Sequence, residues 1–262
     1  RFTALFTLKY MLLSKDPFYR NHLIRDAIGQ ALYDAMKEDP SIHLFGEGAE
    51  IKQHYDAPLI ERDFADRVHT LPISEDGNVN FCVGASLLGV KPVVDIITAD
   101  FLYRAMDSIC NTAAKLDFVT GKEHTIVIRA EYLTGGPTTG QRPEALFAHI
   151  PGLQVVIPST PGDAYGLMQT ALETPGVTLF FEDRMIPDDS FKEDEVTFPR
   201  TPISFGYSNW SVKGQRGVCT VVSYGLMAHT VKKVLAAWDG KFNADPEGNL
   251  GADLIDLRTI YP

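Results

Sequence analysis

Apolar residues recur along this chain in two rhythms, one helical and one that of buried strands. Ile28, Ala31, Leu32 and Ala35 repeat at helical spacing, so a helix with one buried face is expected from about Arg25 to Lys37. Asp39-Pro40 stops it, and Ile42 to Gly46 reads as a buried strand. Val79 to Leu88 predicts a helix with close-packing small residues, and Val93 to Thr98 a strand. Met106, Ile109, Cys110 and Ala113 place a second helix against the sheet. Thr125 to Arg129 and Gln154 to Ile157 are further strands. Pro161-Gly162-Asp163 opens a helix that runs to about Glu173, with proline near its start. Val177 to Phe181 closes the set.

Strands alternating with helices predict an α/β fold, a parallel sheet with helices on both faces. From Met185 to Pro202 the rhythm fails; the stretch is charged and carries Pro187, Pro199 and Pro202, so it reads as a linker. A second, smaller α/β unit follows, with a strand from Val218 to Ser223, a helix from Thr230 to Ala237, a polar loop and a strand from Leu254 to Leu257. The expected organisation is an N-terminal arm over 1–24, a main domain over 25–184, a linker over 185–202 and the second unit over 203–262. No internal repeat or low-complexity tract stands out.

Composition narrows the class. The 262 residues are 45% hydrophobic, enough for one large domain or two smaller ones. A net charge of −10 with no basic patch argues against nucleic acid as a partner. Cys82, Cys110 and Cys219 lie far apart in no metal-type spacing, and no metal site is expected. They fit a reducing cytoplasm, or an organelle matrix in a eukaryote. The apolar opening from Phe2 to Leu13 is too short and interrupted to span a bilayer, and lacks a secretory cleavage site. Its basic, acid-free run up to Lys15 is compatible with organelle targeting; a surface-packing arm, or vector-derived or upstream sequence, is the preferred reading. The chain begins without Met, so the true start is expected to be missing.

The chemistry concentrates between Leu71 and Phe101. Leu71-Pro72-Ile73-Ser74-Glu75-Asp76-Gly77 sets an acidic side chain at the mouth of a strand-to-helix turn. The next strand, Pro92 to Ile97, delivers Asp100-Phe101. In an open parallel sheet both strand ends face one crevice, where ligands bind. A carboxylate and an aromatic face there suit a flat nitrogen heterocycle. Each residue also has a plainer explanation: Glu75 as a carboxylate meeting the free N–H groups of a helix N-terminus, Phe101 and Ile97 as core, Glu47 as a solvated loop acid.

These segments carry a family resemblance. Pro72-Ile73-Ser74-Glu75, Asp100-Phe101, Met106 to Lys115, His149-Ile150-Pro151-Gly152-Leu153 and Ile255-Asp256-Leu257-Arg258-Thr259 resemble, in order and spacing, the beta subunit of the thiamine-dependent component of 2-oxoacid dehydrogenases. The likeness runs from about Arg25 to Pro262. It implies the thiamine diphosphate-binding pyrimidine-domain fold over 25–184, and the start of a transketolase C-terminal-like domain over 203–262. Family members continue further, so the second domain is expected to be incomplete. The resemblance assigns Glu75 the catalytic role of hydrogen-bonding the cofactor's aminopyrimidine, so that the pyrimidine can take the thiazolium proton. A Glu in an apolar crevice has a raised pKa and shares a proton near neutral pH. The resemblance further implies that Phe101 packs on the pyrimidine, worth about one kcal/mol beyond area burial. Ile97 would be an apolar cofactor contact, and Glu47 would orient or polarise the site. His149 matches a family histidine and is expected to be structural.

Two departures shape the expected function. Where decarboxylating relatives carry His-Ser-Gln, this chain has Thr139-Gly140-Gln141, so Thr139 and Gln141 mark a substrate loop of altered character, made flexible by Gly135, Gly136 and Gly140. The Gly-Asp-Gly segment and downstream Asn that hold diphosphate through Mg²⁺ are absent from the sequence. The implied reading is a beta-type subunit that shares thiamine diphosphate with an alpha-type chain, the partner holding Mg²⁺, in an alpha2beta2 heterotetramer that serves a lipoyl acyltransferase. The alternatives are a split transketolase or carboligase subunit using the same cofactor, and a non-catalytic scaffold subunit. A free-standing α/β nucleotide binder lacks a phosphate motif.

Overall fold

The computed structural model describes residues 23–47, 58–133, 139–191, 199–212, 217–239 and 251–261. Nearly all of the expected arm, linker positions 192–198, the loop glycines 135 and 136, and the polar loop of the second unit lie outside them. Helix α1 (Leu23–Glu38) leads into strand β1 (Ile42–Glu47); α2 (Pro58–Asp63) precedes β2 (Val68–Leu71). Helix α3 (Glu75–Leu87) is followed by β3 (Lys91–Thr98). After a region of tight and wide turns come α4 (Leu116–Thr120), β4 (Thr125–Tyr132), α5 (Glu144–Phe147), β5 (Leu153–Val156), α6 (Pro161–Glu173) and β6 (Gly176–Asp183). The second unit comprises β7 (Asn209–Val212), β8 (Gly217–Ser223), α7 (Gly225–Asp239), β9 (Gly251–Asp256) and β10 (Thr259–Tyr261).

Seven strands form one sheet in the order β10-β5-β6-β4-β3-β1-β2, parallel throughout except for the antiparallel β10. Both faces are covered, as near-continuous apolar strands require. Val79, Cys82 and Val83 of α3 pack on Phe45, Val94 and Ile96 on one face. Ile28, Leu32, Leu167 and Met168 of α1 and α6 pack on Val93, Val127 and Phe180 on the other. Cys82 is fully buried, and burial pushes its thiol up to about 12, so it behaves as a small apolar residue. Thr160 starts α6 by accepting the Asp163 N–H, with Pro161 at its first position.

The structure differs from the expected elements in three places. The apolar spacing from Met106 to Ala113 does not make one α-helix: Ala99–Ala105 is a tight 3₁₀ segment, Ser108–Thr112 a wide π turn and Ala113–Lys115 tight again. One cause is local. The Asp76 carboxylate accepts from Ser108 Oγ, and Asn80 Nδ2 donates to the same oxygen at 2.6 Å, so α3 draws Ser108 inward. Strand β7 lacks a strong apolar pattern and was not expected, while β2 was expected only as the strand ahead of the turn at Glu75. β10, in the segment assigned to the second unit, instead borders the main sheet, with Thr259 opposite Val156.

The smaller sheet, β7-β9-β8, docks through polar contacts. Leu226 N donates to Asp183 Oδ2 at 2.9 Å, Gly225 N to Ser159 Oγ at 2.8 Å, and Arg258 Nη1 to Asp163 Oδ1 at 2.8 Å. Burial, reinforced by Asp163, raises the Asp256 carboxyl from 3.8 to about 7. The folded chain therefore binds a proton that the unfolded chain releases. Stability falls as pH rises from about 4 to 7 and levels off above. Asp256→Asn should reduce that slope, adding on the order of 2 kcal/mol at pH 8 and little at pH 4. Melting curves across this range check it; an unchanged slope would place the titration elsewhere.

Candidate functional site

From β1 the chain moves outward to β2 and then crosses back to β3 on the other side of β1. This reversal is a topological switch point, and in open sheets ligands bind in the crevice beyond the carboxyl ends of the strands at such a point. Glu47 ends β1, Glu75 starts the helix after β2, and Ile97 lies at the end of β3. The topology thus gathers three of the expected residues at one place.

The two glutamates have different surroundings. Glu47 is buried, and its Oε1 accepts from Ser74 N at 3.3 Å and from Asn78 Nδ2 at 3.1 Å. Burial, with repulsion from Glu75 and Asp95, raises its carboxyl above the ordinary Glu value despite these bonds. It is Glu47, not Glu75, that meets an N–H at the start of α3. The expectation of a solvated loop acid at 47 is therefore replaced by a buried one. Glu75 is half-buried, and among the described residues its carboxylate accepts no hydrogen bond. Its neighbour Asp76 turns to Ser108. Among the described residues Glu75 is thus uncommitted, and it is near enough to Glu47 for mutual repulsion.

Beyond β3, the wall is apolar and anchored by carboxylates. Ile97 is half-exposed and carries a left-handed backbone, φ 64°. Phe101 is half-buried and packs against the core that includes Phe45 and Ile96. Between them Asp100, 6% exposed, accepts from Gly140 N at 3.0 Å and Gln141 N at 3.2 Å. The Thr139–Gln141 loop is thereby held beside Phe101, with Gln141 itself exposed and within 3.4 Å of the Tyr103 hydroxyl. Gly140 needs to be glycine, since its φ is +117° and a Cβ would meet the Leu133 carbonyl. His149 is exposed.

Sequence reasoning overlooked Asn78, Asp95 and Asp100. Asp95 offered the clearest signal, a charge inside the apolar run Val93 to Ile97. It is 1% exposed, and Arg129 Nη1 lies 3.5 Å from its Oδ2. Arg129 in turn donates to Glu182 from Nε at 2.6 Å. Burial raises the Glu182 carboxyl to about 7. No group of three or more metal-ligating side chains occurs among the described residues.

Comparison with known proteins places this geometry. The family described as "Transketolase, pyrimidine binding domain" matches residues 22–187. The chain is 31% identical over 244 residues to an Arabidopsis thaliana mitochondrial 2-oxoisovalerate dehydrogenase subunit beta 2, covering 90% of this chain and 65% of that protein. It is 30% identical to the Bacillus subtilis 2-oxoisovalerate dehydrogenase subunit beta, covering 72% of that protein. A pyruvate dehydrogenase E1 component subunit beta from Rickettsia felis is 31% identical, with 91% and 72% covered. Among solved structures, an inactive beta4 tetramer of a split-gene transketolase superposes with TM-score 0.71 at 21% identity, covering 90% of this chain and 71% of that one. A Pichia stipitis transketolase gives 0.66 at 15% identity, with 34% of its chain covered. Those structural likenesses bear on fold.

Proposed function

We propose that this chain, which belongs to the transketolase pyrimidine-binding domain family and within it to the beta subunits of 2-oxoacid dehydrogenases, is the beta-type half of a heteromeric thiamine diphosphate-dependent enzyme. It would bind the aminopyrimidine of the cofactor and activate it for 2-oxoacid decarboxylation and acyl transfer. One observation carries this reading: Glu75 has no hydrogen-bond partner among the described residues, beside a buried Glu47, in the switch-point crevice.

The residues present fit a flat nitrogen heterocycle. When bound, the cofactor supplies an acidic thiazolium carbon that becomes a nucleophile towards a 2-oxo carbonyl. Glu75 would meet the pyrimidine ring nitrogen, beside a Glu47 whose carboxyl is raised by burial and by repulsion from Glu75. Glu47, tied to Ser74 and Asn78, keeps the mouth of α3 in place. Ile97 and Phe101 flank the ring and keep water out. Thr139 and Gln141 sit where a substrate would meet the loop. We assign 25–184 to the pyrimidine-binding domain, 185–202 to a linker and 203–262 to the start of a C-terminal-like domain.

The absent Gly-Asp-Gly segment leaves the diphosphate and its Mg²⁺ to an alpha-type partner, in an alpha2beta2 assembly that would serve a lipoyl acyltransferase. The chain spans 65% of the length of its Arabidopsis relative. No described helix is long and apolar enough to cross a membrane. A cytoplasmic or organelle-matrix setting accords with the named relatives, one of them mitochondrial and the others bacterial.

The isolated chain should bind thiamine diphosphate poorly, because a buried anion needs paired cations or donors. Calorimetry with and without the co-purified partner tests this; tight Mg²⁺-dependent binding by this chain alone would defeat the shared site. Turnover is then assayed against 2-oxoacids and ketose phosphates. The second reading, a split transketolase or carboligase, is favoured by Thr139-Gly140-Gln141 standing in place of His-Ser-Gln, and preference for ketose phosphates would select it.

A further inference from the structure

Two non-glycine residues among those described have left-handed backbones, Ile97 at φ 64° and Arg258 at φ 58°. Each stands two residues after a buried aspartate whose Oδ1 accepts its N–H. Asp95 takes the Ile97 N–H at 2.7 Å, and Asp256 takes the Arg258 N–H at 3.3 Å. The same local ring occurs at the end of a strand in both sheets. An aspartate accepting from the N–H two residues on mimics a backbone turn.

At Ile97 this turn works against strong preference. A β-branched side chain is a conformational outlier in the left-handed region. The strand also breaks register here. Asp95 faces Arg129 and Thr98 faces Glu131, so three steps on β3 answer two on β4. Such a bulge re-aims the side chains that follow it. Ile96 stays fully buried, whereas Ile97, at the carboxyl end of β3, is half-exposed. Asp95 is fixed in turn: it is 1% exposed, and Arg129, also 1% exposed, lies between it and Glu182.

We propose that Asp95 is a positioning residue of the crevice, which holds Ile97 left-handed and so sets the apolar wall and the approach of Asp100 and Phe101. Its effect on cofactor binding rests on the thiamine diphosphate reading above; its effect on the backbone does not. The ion pair with Arg129 secures the carboxylate, while the turn to Ile97 is what serves the site.

Two substitutions separate these roles. Asp95→Asn keeps an Oδ1 acceptor at the right reach and loses the charge. Asp95→Glu keeps the charge and, through its extra methylene, breaks the fit of the turn. Crystal structures of the assembled complex, and calorimetry with thiamine diphosphate and Mg²⁺, provide the two readouts. Asp95→Asn should keep Ile97 left-handed and bind within threefold of wild type. Asp95→Glu should release Ile97 to negative φ and bind at least tenfold more weakly; Asp95→Ala takes its place should the glutamate variant not fold. A purely ionic role predicts the reverse order. Loss of the left-handed Ile97 or of affinity in Asp95→Asn overturns the proposal by itself. So does wild-type affinity in a variant whose Ile97 has relaxed. Should wild-type complex fail to bind the cofactor, the functional reading falls and the crystallographic comparison still decides the role of Asp95.

Discussion

Replacing Glu75 by Gln is expected to lower turnover by about 10²–10⁴-fold, the usual cost of removing a proton-transfer group. The fold and assembly should survive. Gln is nearly isosteric, Glu75 is half-buried, and its carboxylate makes no hydrogen bond to another described residue that the substitution would remove. An amide cannot share a proton with a ring nitrogen, so the deficit should appear in proton exchange at the thiazolium carbon as well as in product formation. Equal exchange rates in the assembled variant and wild type would reduce Glu75 to a structural residue. Removing the Glu75 charge also relieves repulsion on Glu47, so the Glu47 pKa should move down towards its ordinary value.

Gly152→Ala should abolish folding, or lower the melting temperature by roughly 10 °C or more. Gly152 has φ +90°, and an added Cβ would stand 1.9 Å from the Ala114 carbonyl oxygen. Neither partner can yield cheaply. Gly152 leads directly into β5, and Ala114 lies on the tight winding that follows the π turn at Ser108–Thr112. The contact locks that winding to the sheet. Gly84 provides the control: it lies within α3, a Cβ there meets nothing within 4 Å, and Gly84→Ala should add about 0.5–1 kcal/mol. A soluble, fully stable Gly152→Ala chain would mean that the winding moves freely.

Periodicity exposed the parts of the fold that bury long apolar faces. The face of α1 and strands β3, β4 and β6 were legible because each repeats at its own spacing over several residues. β2 showed only through the turn that follows it, since the edge strand Val68-His69-Thr70-Leu71 buries little and so needs no apolar pattern. The region from Ala99 to Lys115 misled because helical spacing is shared by α, 3₁₀ and π windings, and the Asp76–Ser108 contact that selects among them is non-local. In the site, Glu75, Glu47, Ile97 and Phe101 were named through resemblance. Their differing states were not readable. Whether a carboxylate is engaged or uncommitted depends on partners such as Asn78, whose polar side chain looks unremarkable in a list of residues. Asp95 was the exception, a charge inside an apolar strand.

The antiparallel pairing of β10 with β5 bears on how the chain reaches its fold during synthesis. Thr259 meets Val156, so the outer strand of the main sheet must wait for residues about a hundred positions later. Until those emerge, β5 presents unpaired N–H and C=O groups along a flank, an invitation to pair with another chain. Closing so long a loop is slow, and an unpaired edge in the meantime is prone to aggregation. A ribosome-bound chain halted before residue 259 should therefore hold the core strands β1, β3, β4 and β6 while β5 stays open to proteases and chaperones. The second unit then acts as a clasp, fastened last.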